Sequence, residues 1–377
     1  MNLRKSVLLG AVAIFATVSS VLADVTINIT GATAFRAAAH TSIIATLGGN
    51  GVVEYAYSTS AGAAAANLAT ADRSIFVGPV SGLGIVTVRC SWSGSTAGIG
   101  SVVTASPVSV PLMNTSVSTS GVNGGISFET VVPKFSFSDV AQAASNNPTP
   151  ALNGTQVGVV PFMFLAQEGA PSGITNMTDQ LFASLYSTGS APLSTFTGNA
   201  ADEAMLVVPT GRNTGSGTRV TILAETGYGF STTVNQFQPT IVAGAVTALG
   251  SASNNGYSSN SGVRTVLETP MSAGLSESFL FAAYLTISDA LQAITNGAKA
   301  LTYNGVAYSV ENVKNGSYSL WGYQWLYNAD GLTTDETTFL DTFVATIPAN
   351  LGTAGIPIPD MRVTRQGGDG GQILTNL

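Results

Sequence analysis

Residues 205–218 read MLVVPTGRNTGSGT, a short apolar run followed by a loop of small and polar residues. The apolar run predicts a β-strand, and a helical pattern begins at Arg219. A strand–loop–helix unit directs free backbone N–H groups at the helix N-terminus toward the loop, where they stabilise an anion. Arg212 could add a bidentate, charge-assisted clamp to such a site. Ordinary strand-to-helix turns have the same composition, and Arg212 could instead form a surface ion pair.

The same unit occurs twice more, nearer the N-terminus. Alternating apolar residues at 25, 27 and 29 predict a strand that leads into the loop TGATAF at 30–35 and then an alanine-rich helical stretch. Residues 85–88 predict another strand, which precedes the loop SGSTAG at 93–98. A fourth loop, FSFSD at 135–139, also ends a β-like stretch, and its last two residues could cap a helix over 141–144. Three such units in one chain favour an anion site without excluding simple turns.

These four loops resemble those of the phosphate-binding component of high-affinity phosphate ABC importers, a type II periplasmic binding protein. RNTGSGT at 212–218 is similar to the Arg-x-x-Gly-Ser-Gly-Thr loop of that family, its most specific motif. GATAF at 31–35 resembles the family's first ligand loop, GSTAG at 94–98 its second, and Ser138-Asp139 its Ser-Asp pair. All four occur in the family's order. The first loop is one residue shorter than usual, and the Ser/Thr/Val/Gly-rich stretch 101–130 is an insertion relative to the family.

The resemblance implies an α/β, two-domain type II periplasmic-binding-protein fold with a ligand cleft between the domains. Residues 24–156 and 284–377 would form domain 1, and 157–283 domain 2, with 157–164 as a buried strand between them. The implied function is capture of phosphate or a related oxyanion for uptake by an ABC importer permease. The implied ligand-binding residues are Thr33, Ala34, Phe35, Ser95, Thr96, Ser138, Asp139, Arg212, Ser216, Gly217 and Thr218.

Within that set, Asp139 is an unusual residue for an anion site. Phosphate keeps at least one proton near neutral pH, so a carboxylate can accept a hydrogen bond from it. Fully ionised sulfate has no such proton and would face an unpaired like charge. We therefore expect Asp139 to favour phosphate over sulfate.

Composition excludes several other classes of function. Charged residues make up only 9% of the chain, against about 25% in typical domains, and the net charge is −7, which argues against a nucleic-acid partner. The one histidine, His40, follows three alanines and suggests an ordinary helix residue, so triads, dyads and histidine metal sites lack their imidazole. We expect no catalytic residue, no metal and no cofactor. A phosphomonoesterase with a similar anion cradle is the enzymatic alternative, without an evident metal cluster or histidine base.

The N-terminus predicts export. Residues 1–23, MNLRKSVLLGAVAIFATVSSVLA, combine a basic start, an apolar run and small residues before a cleavage point at Ala23. A membrane anchor is the alternative. We therefore expect a periplasmic or secreted monomer. The single cysteine, Cys90, cannot form an internal disulfide and is expected to be buried, the alternative being a reactive thiol. Low charge and 42 glycines also suit an exported structural or surface protein that reuses this fold without binding phosphate.

Overall fold

The computed structural model describes residues 25–103, 108–116 and 120–375. The expected leader, 1–23, lies outside the described residues. Among the residues described, no helix combines the length and the apolar character needed to cross a bilayer.

The described chain alternates strands with short helices. In chain order the strands are β1 (Val25–Gly31), β2 (Glu54–Ser58), β3 (Arg73–Val80), β4 (Gly84–Ser91), β5 (Val110–Met113), β6 (Ser120–Asn123), β7 (Phe128–Val131), β8 (Phe135–Ser138), β9 (Asn153–Ala166), β10 (Asn176–Met177), β11 (Ala191–Pro192), β12 (Leu206–Pro209), β13 (Gln236–Phe237), β14 (Thr240–Val242), β15 (Ala245–Ala248), β16 (Ala252–Ser253), β17 (Phe279–Thr286), β18 (Lys299–Ala300), β19 (Thr302–Tyr303), β20 (Trp321–Asn328), β21 (Val363–Gln366) and β22 (Gln372–Thr375).

The α-helices lie mostly between strands of the main sheet. They are α1 (Arg36–Thr46), α2 (Ser95–Val103), α3 (Asp179–Thr188), α4 (Ser194–Thr197), α5 (Gly217–Glu225), α6 (Asn260–Glu268), α7 (Ile287–Thr295), α8 (Val310–Lys314) and α9 (Thr334–Thr346). The three strand–loop–helix units expected from the sequence are therefore present as β1–α1, β4–α2 and β12–α5.

One sheet runs through the described chain in the order β11-β12-β17-β9-β20-β8-β1-β4-β3-β2-β6, with β18 also on β9. The long strand β9 joins its two parts: residues 153–161 pair with β20, and residues 162–166 pair with β17. From Val157 to Ala166 every residue of β9 is buried, which explains its continuous apolar run. The buried strand expected over 157–164 is confirmed and is longer than expected.

The predicted division into 24–156, 157–283 and 284–377 stays a prediction. Its last boundary, between 283 and 284, falls inside β17. Residues 282–286 of this strand pair with residues 162–166 of β9. The expected insertion at 101–130 includes β5 and β7, which pair with each other, and β6, which pairs with β2 at the edge of the main sheet.

The helix expected over 141–144 is wrong. The chain forms a single 3₁₀ turn, Gln142–Ala144, without a side-chain cap. The Ser138 hydroxyl bonds instead to the backbone of Val140, and the Ser145 hydroxyl donates to the Gln142 carbonyl at 2.7 Å. These local bonds take up the backbone groups that a longer helix would use.

His40 lies on a helix and Cys90 is buried, as expected of each, and His40 is buried as well. His40 lies on α1, where Nδ1 contacts the Leu68 carbonyl at 3.1 Å and Nε2 accepts the Trp92 indole N–H at 2.9 Å. Burial lowers the pKa of His40 to about 3, so the ring is neutral at physiological pH. Burial raises the pKa of Cys90 to about 12, which makes it an inert core residue rather than a nucleophile.

Candidate anion-binding site

Three of the four candidate loops meet because of the sheet order. β1 lies between β4 and β8 and is parallel to both, so the carboxyl ends of the three strands share one edge. The Gly31 carbonyl accepts the Gly94 N–H, and the Ala32 N–H donates to the Phe137 carbonyl, both at 2.9 Å. Gly31 has a φ of +115°, and a side chain there would collide with the Phe137 backbone. Glycine is therefore required for this close approach.

The fourth loop comes from the other part of the sheet, after β12. A methyl group on Gly94 would meet the Gly215 carbonyl oxygen at 2.7 Å, so the two loops lie in direct contact. Ser216 caps α5 by accepting the Arg219 N–H at 3.3 Å. The N-termini of α2 and α5 consequently lie next to each other, and both carry hydroxyl residues.

Asp139 lies between these two helix starts and is 1% exposed. The Ser95 hydroxyl donates to its Oδ1, and the Thr218 hydroxyl donates to its Oδ2 at 3.1 Å. The Thr221 hydroxyl donates to its carbonyl at 2.9 Å. Burial raises the pKa of Asp139, while the Ser95 bond, the charge of Arg212 and the Thr218 bond oppose that rise. The carboxyl is thus held by hydroxyls from both sides, and no cation from the described part of the chain contacts it.

Arg212 is 1% exposed and is held by uncharged oxygen atoms. Its Nε donates to the Tyr257 carbonyl at 3.1 Å, and Nη1 donates to Asn260 Oδ1 at 2.9 Å. Its Nη2 donates to the Ser258 carbonyl at 2.9 Å and to the Thr33 hydroxyl at 3.2 Å. Four of the five guanidinium N–H groups are used in this way, and the ion pairs within the described residues do not include Arg212. Burial lowers the pKa of Arg212 to about 10, so the side chain stays charged at neutral pH.

The structure brings most of the predicted ligand residues together. The bonds above join Thr33 to Arg212, and separately join Ser95 and Thr218 to Asp139. The buried side chain of Thr96 lies beside Gly215. These assignments as ligand residues stay predictions.

Three predicted residues take other positions. Phe35 packs in the core, with its ring centroid 5.2 Å from that of Phe137, and Ala34 is buried just before it. The Ser138 hydroxyl turns back to Val140.

Sequence reasoning missed the segment that orients Arg212. Residues 256–262 read GYSSNSG, and this stretch supplies three of the four acceptors of the guanidinium. The Asn260 side chain is itself fixed, because its amide donates to the Thr286 hydroxyl at 3.1 Å. The backbone N–H of Arg212 donates to the Tyr284 hydroxyl at 3.3 Å. The one local signal for this segment was a serine before a helical pattern: Ser259 caps α6, whose first residue is Asn260.

In the part of the chain that the structure describes, no group of three or more His, Cys, Asp or Glu side chains could hold a metal ion. The chemistry available at the site is therefore that of hydroxyls, backbone N–H groups, one carboxyl and one guanidinium. Such a set binds an anion by hydrogen bonds and charge.

No protein-family model matches the chain, and no curated protein matches its sequence. Solved structures do match. A phosphate ABC transporter substrate-binding protein from Clostridium perfringens, solved with bound phosphate, is 15% identical at a TM-score of 0.51, over 88% of this chain and 99% of that chain. A phosphate-binding protein from Stenotrophomonas maltophilia is 12% identical at a TM-score of 0.47, over 89% and 90%. PstS from Borrelia burgdorferi is 13% identical at a TM-score of 0.43, over 89% and 99%.

The first of these similarities shows a shared fold and confirms the expected α/β, two-domain periplasmic-binding-protein fold. At 12–15% identity the similarity concerns the fold, and it does not assign the ligands of these proteins to this chain.

Proposed function

We propose that this protein binds phosphate or a related oxyanion between the two parts of its sheet and passes it to an ABC importer, without chemical turnover. The observation that carries the proposal is the buried guanidinium of Arg212, which has four uncharged acceptors and, among the residues described, no carboxylate in ion-pair contact. Taking an uncompensated charge out of water costs several kcal/mol. A bound oxyanion would offset that cost.

The surroundings of Arg212 suit an oxyanion. The hydroxyls of Ser95, Thr96 and Thr218 lie at the starts of α2 and α5, whose first backbone N–H groups have no helical partner. Because the Ser95 and Thr218 hydroxyls donate to Asp139, the neutral donors left for a tetrahedral anion are the Thr96 hydroxyl and the backbone N–H groups at these helix starts. The fold shared with the Clostridium perfringens substrate-binding protein supports the same interpretation.

Asp139 would set the specificity of this site. Because burial raises its pKa, the carboxyl holds a proton more readily than a solvated aspartate does. It can share a single proton with phosphate, which carries one near neutral pH. A ligand without a proton would meet the carboxylate as a like charge.

Export belongs to the same proposal. The leader-like sequence at 1–23 suggests that the mature protein begins near Asp24. N-terminal sequencing of the protein released by a bacterial host tests this point. A mature chain that still begins at Met1 would contradict export by cleavage.

The binding proposal is tested by calorimetry on residues 24–377, unfolded and refolded to remove bound anion, then titrated with phosphate and with sulfate. We expect tight phosphate binding and an affinity loss of at least about 100-fold in Arg212→Ala, since buried charge-assisted bonds are lost. Arg362→Ala is the matched control, because Arg362 pairs with Glu311 on the surface. No heat with phosphate in a folded protein would overturn the proposal and favour a structural role. Equal losses in both arginine variants would also count against it.

A further inference from the structure

The hairpin near the C-terminus reaches the candidate anion site with its tip. Strands β21 and β22 pair antiparallel, and the five residues between them, 367–371, read GGDGG. Asp369 is the charged residue of this tip, and its Oδ2 accepts the Ala141 N–H at 2.7 Å. Ala141 lies two residues after Asp139, in the turn that follows β8. The hairpin tip is therefore joined to the turn that carries the carboxyl of the site.

The same tip also contacts α5, which belongs to the other part of the sheet. The Gly370 N–H donates to Glu225 Oε1 at 2.8 Å. A side chain at Gly370 would meet the Ala224 carbonyl oxygen at 2.5 Å, so the backbone of the tip packs directly on the last turn of α5. Two adjacent residues of the tip, 369 and 370, thus connect the turn after β8 to the end of α5.

This connection affects Asp139 because α5 also bonds to that residue. The Thr218 hydroxyl donates to Asp139 Oδ2 at 3.1 Å, and the Thr221 hydroxyl donates to its carbonyl at 2.9 Å. Both donors lie on α5. The orientation of the Asp139 carboxyl therefore depends on where its turn lies relative to this helix.

The backbone just after Asp139 has few bonds of its own. The Val140 N–H donates to the Ser138 hydroxyl at 3.2 Å, a bond that stays within the turn. The Ala141 N–H has the Asp369 carboxyl as its one acceptor among the described residues. Removing that carboxyl would release this end of the turn and leave the bonds from α5 to Asp139 in place.

Asp369 is partly buried and faces four other titratable groups. Burial raises its pKa to about 6 and the charge of Asp139 adds to that rise, while its bond to the backbone N–H and the charge of Arg365 oppose it. Glu225 and Tyr327 are the other two groups that its charge reaches. At pH 8 the ionised carboxylate can only accept hydrogen bonds, which suits an N–H donor and makes the bond charge-assisted.

We propose that Asp369 is a positioning residue of the anion site, which holds the Ala141 N–H and thereby keeps Asp139 in the orientation that discriminates phosphate from fully ionised anions. This inference rests on the proposed oxyanion site and on the role of Asp139 in it. A displaced Asp139 would accept the phosphate proton less well and would repel sulfate less. Phosphate would then bind more weakly and sulfate more tightly.

The test measures the ratio of the sulfate to the phosphate dissociation constant at pH 8, by calorimetry on the anion-free protein. Asp369→Ala removes the acceptor and should lower this ratio at least about tenfold. Asp369→Asn keeps the size and an oxygen that accepts the Ala141 N–H, so the ratio should stay within about threefold. Asp360→Ala is the matched control, because it removes a surface carboxyl that pairs with Lys314, and it should leave the ratio unchanged.

Two further variants show whether the effect passes through this bond and through Asp139. Ala141→Pro removes the donor instead of the acceptor, at a residue whose φ of −62° proline can adopt, and it should lower the ratio as Asp369→Ala does. In an Asp139→Asn background the discriminating carboxylate is gone, so adding Asp369→Ala should change the ratio less than about twofold. A merely structural role would weaken the binding of both anions alike and would leave the ratio unchanged.

The outcomes separate this inference from the proposed function. An unchanged ratio in folded Asp369→Ala or Ala141→Pro, or a ratio that Asp369→Asn lowers as far as Asp369→Ala does, overturns the positioning role and leaves the oxyanion site intact. A full effect of Asp369→Ala in the Asp139→Asn background also overturns it. Equal binding of the two anions by the unmodified protein removes the role of Asp139, and this inference with it. Absence of binding by both anions removes the proposed function itself.

Discussion

The carboxyl of Asp139 lies directly against the Cα of Gly217, and a methyl group on that carbon would have no room beside Oδ1. Gly217 is the first residue of α5, and Ser95 approaches the same point from α2. The loop after β12 can therefore contact the loop after β8 only because position 217 has no side chain. This contact joins the two parts of the sheet at the candidate site.

Gly217→Ala should consequently disrupt the site. Overpacking at a buried contact typically costs 1–3 kcal/mol, and we expect a loss of about 2 kcal/mol in the free energy of unfolding with at least tenfold weaker phosphate binding. Gly215→Ala is the matched control, because its nearest neighbours would be Ala97 Cβ at 3.9 Å and Thr96 Oγ1 at 4.0 Å. Chemical denaturation and calorimetry on both variants measure the difference. Two variants with the same stability and affinity would show that the contact is not required.

The discrimination between phosphate and sulfate should depend on pH through Asp139. Because burial raises its pKa, this carboxyl takes up a proton at a higher pH than a solvated aspartate. The protonated carboxyl can donate to a fully ionised anion, so sulfate affinity should rise as pH falls, by up to about tenfold per pH unit. Asp139→Asn donates at every pH and should bind sulfate independently of pH. Competition titrations at pH 5 and pH 8 check this, and a flat sulfate affinity in the unmodified protein would contradict it.

Much of the site was predictable because its signals are local. Each loop follows a short apolar strand and precedes a helix, and RNTGSGT at 212–218 is a specific motif. Gly31 lies against the backbone of Phe137, and Gly217 lies against the carboxyl of Asp139. Local pattern and motif together therefore placed the loops after β1, β4, β8 and β12.

Other features depend on contacts between distant parts of the chain. Asn260 lies 48 residues after Arg212 and bonds to it, a relation that no periodicity in the sequence reveals. β17 pairs with β9, more than 100 residues earlier in the chain. The sequence alone does not reveal this pairing, and the boundary expected at 283 therefore falls inside a strand. The turn at 142–144 is also held by a distant residue, since the Gln142 N–H donates to the Tyr327 hydroxyl at 2.8 Å.

His40 should make the protein sensitive to acid. Its pKa is about 3 in the folded protein because of burial, against 6.5 in the unfolded chain. Below pH 6.5 the unfolded chain gains a proton that the folded protein does not, so stability falls as pH decreases toward 3, by at most about 1.4 kcal/mol per pH unit.

His40→Gln keeps a polar side chain but removes this titration. It should be about 2 kcal/mol less stable at pH 7, since the bonds of Trp92 and Ser74 to the ring are disturbed, and it should lose less stability between pH 7 and pH 4. Urea denaturation at three pH values measures both slopes. Parallel curves for the two proteins would show that His40 does not control the acid response.

The ion pair of Arg365 with Glu225 should anchor the C-terminal hairpin, β21–β22, to the end of α5. Arg365 Nη1 and Glu225 Oε2 are 2.7 Å apart with both side chains 3% exposed, and the guanidinium lies 4.4 Å from the centroid of the Trp321 ring. The Gly370 N–H donates to the other carboxylate oxygen at 2.8 Å. Burial outweighs the pairing and raises the pKa of Glu225 to about 8, so an unpaired Glu225 would be costly as an anion.

Arg365→Met should therefore lower the free energy of unfolding by about 1–3 kcal/mol, because the buried carboxyl loses its charged partner and avoids an unpaired charge by holding a proton. Replacing both partners, Arg365→Met with Glu225→Met, should recover most of that loss, since paired apolar side chains can replace a buried ion pair at little cost. The stability of the single variants and the double variant closes a mutant cycle that isolates the pair. A double variant as unstable as the sum of the two single variants would mean that Arg365 acts through Trp321 and the neighbouring carbonyls rather than through Glu225.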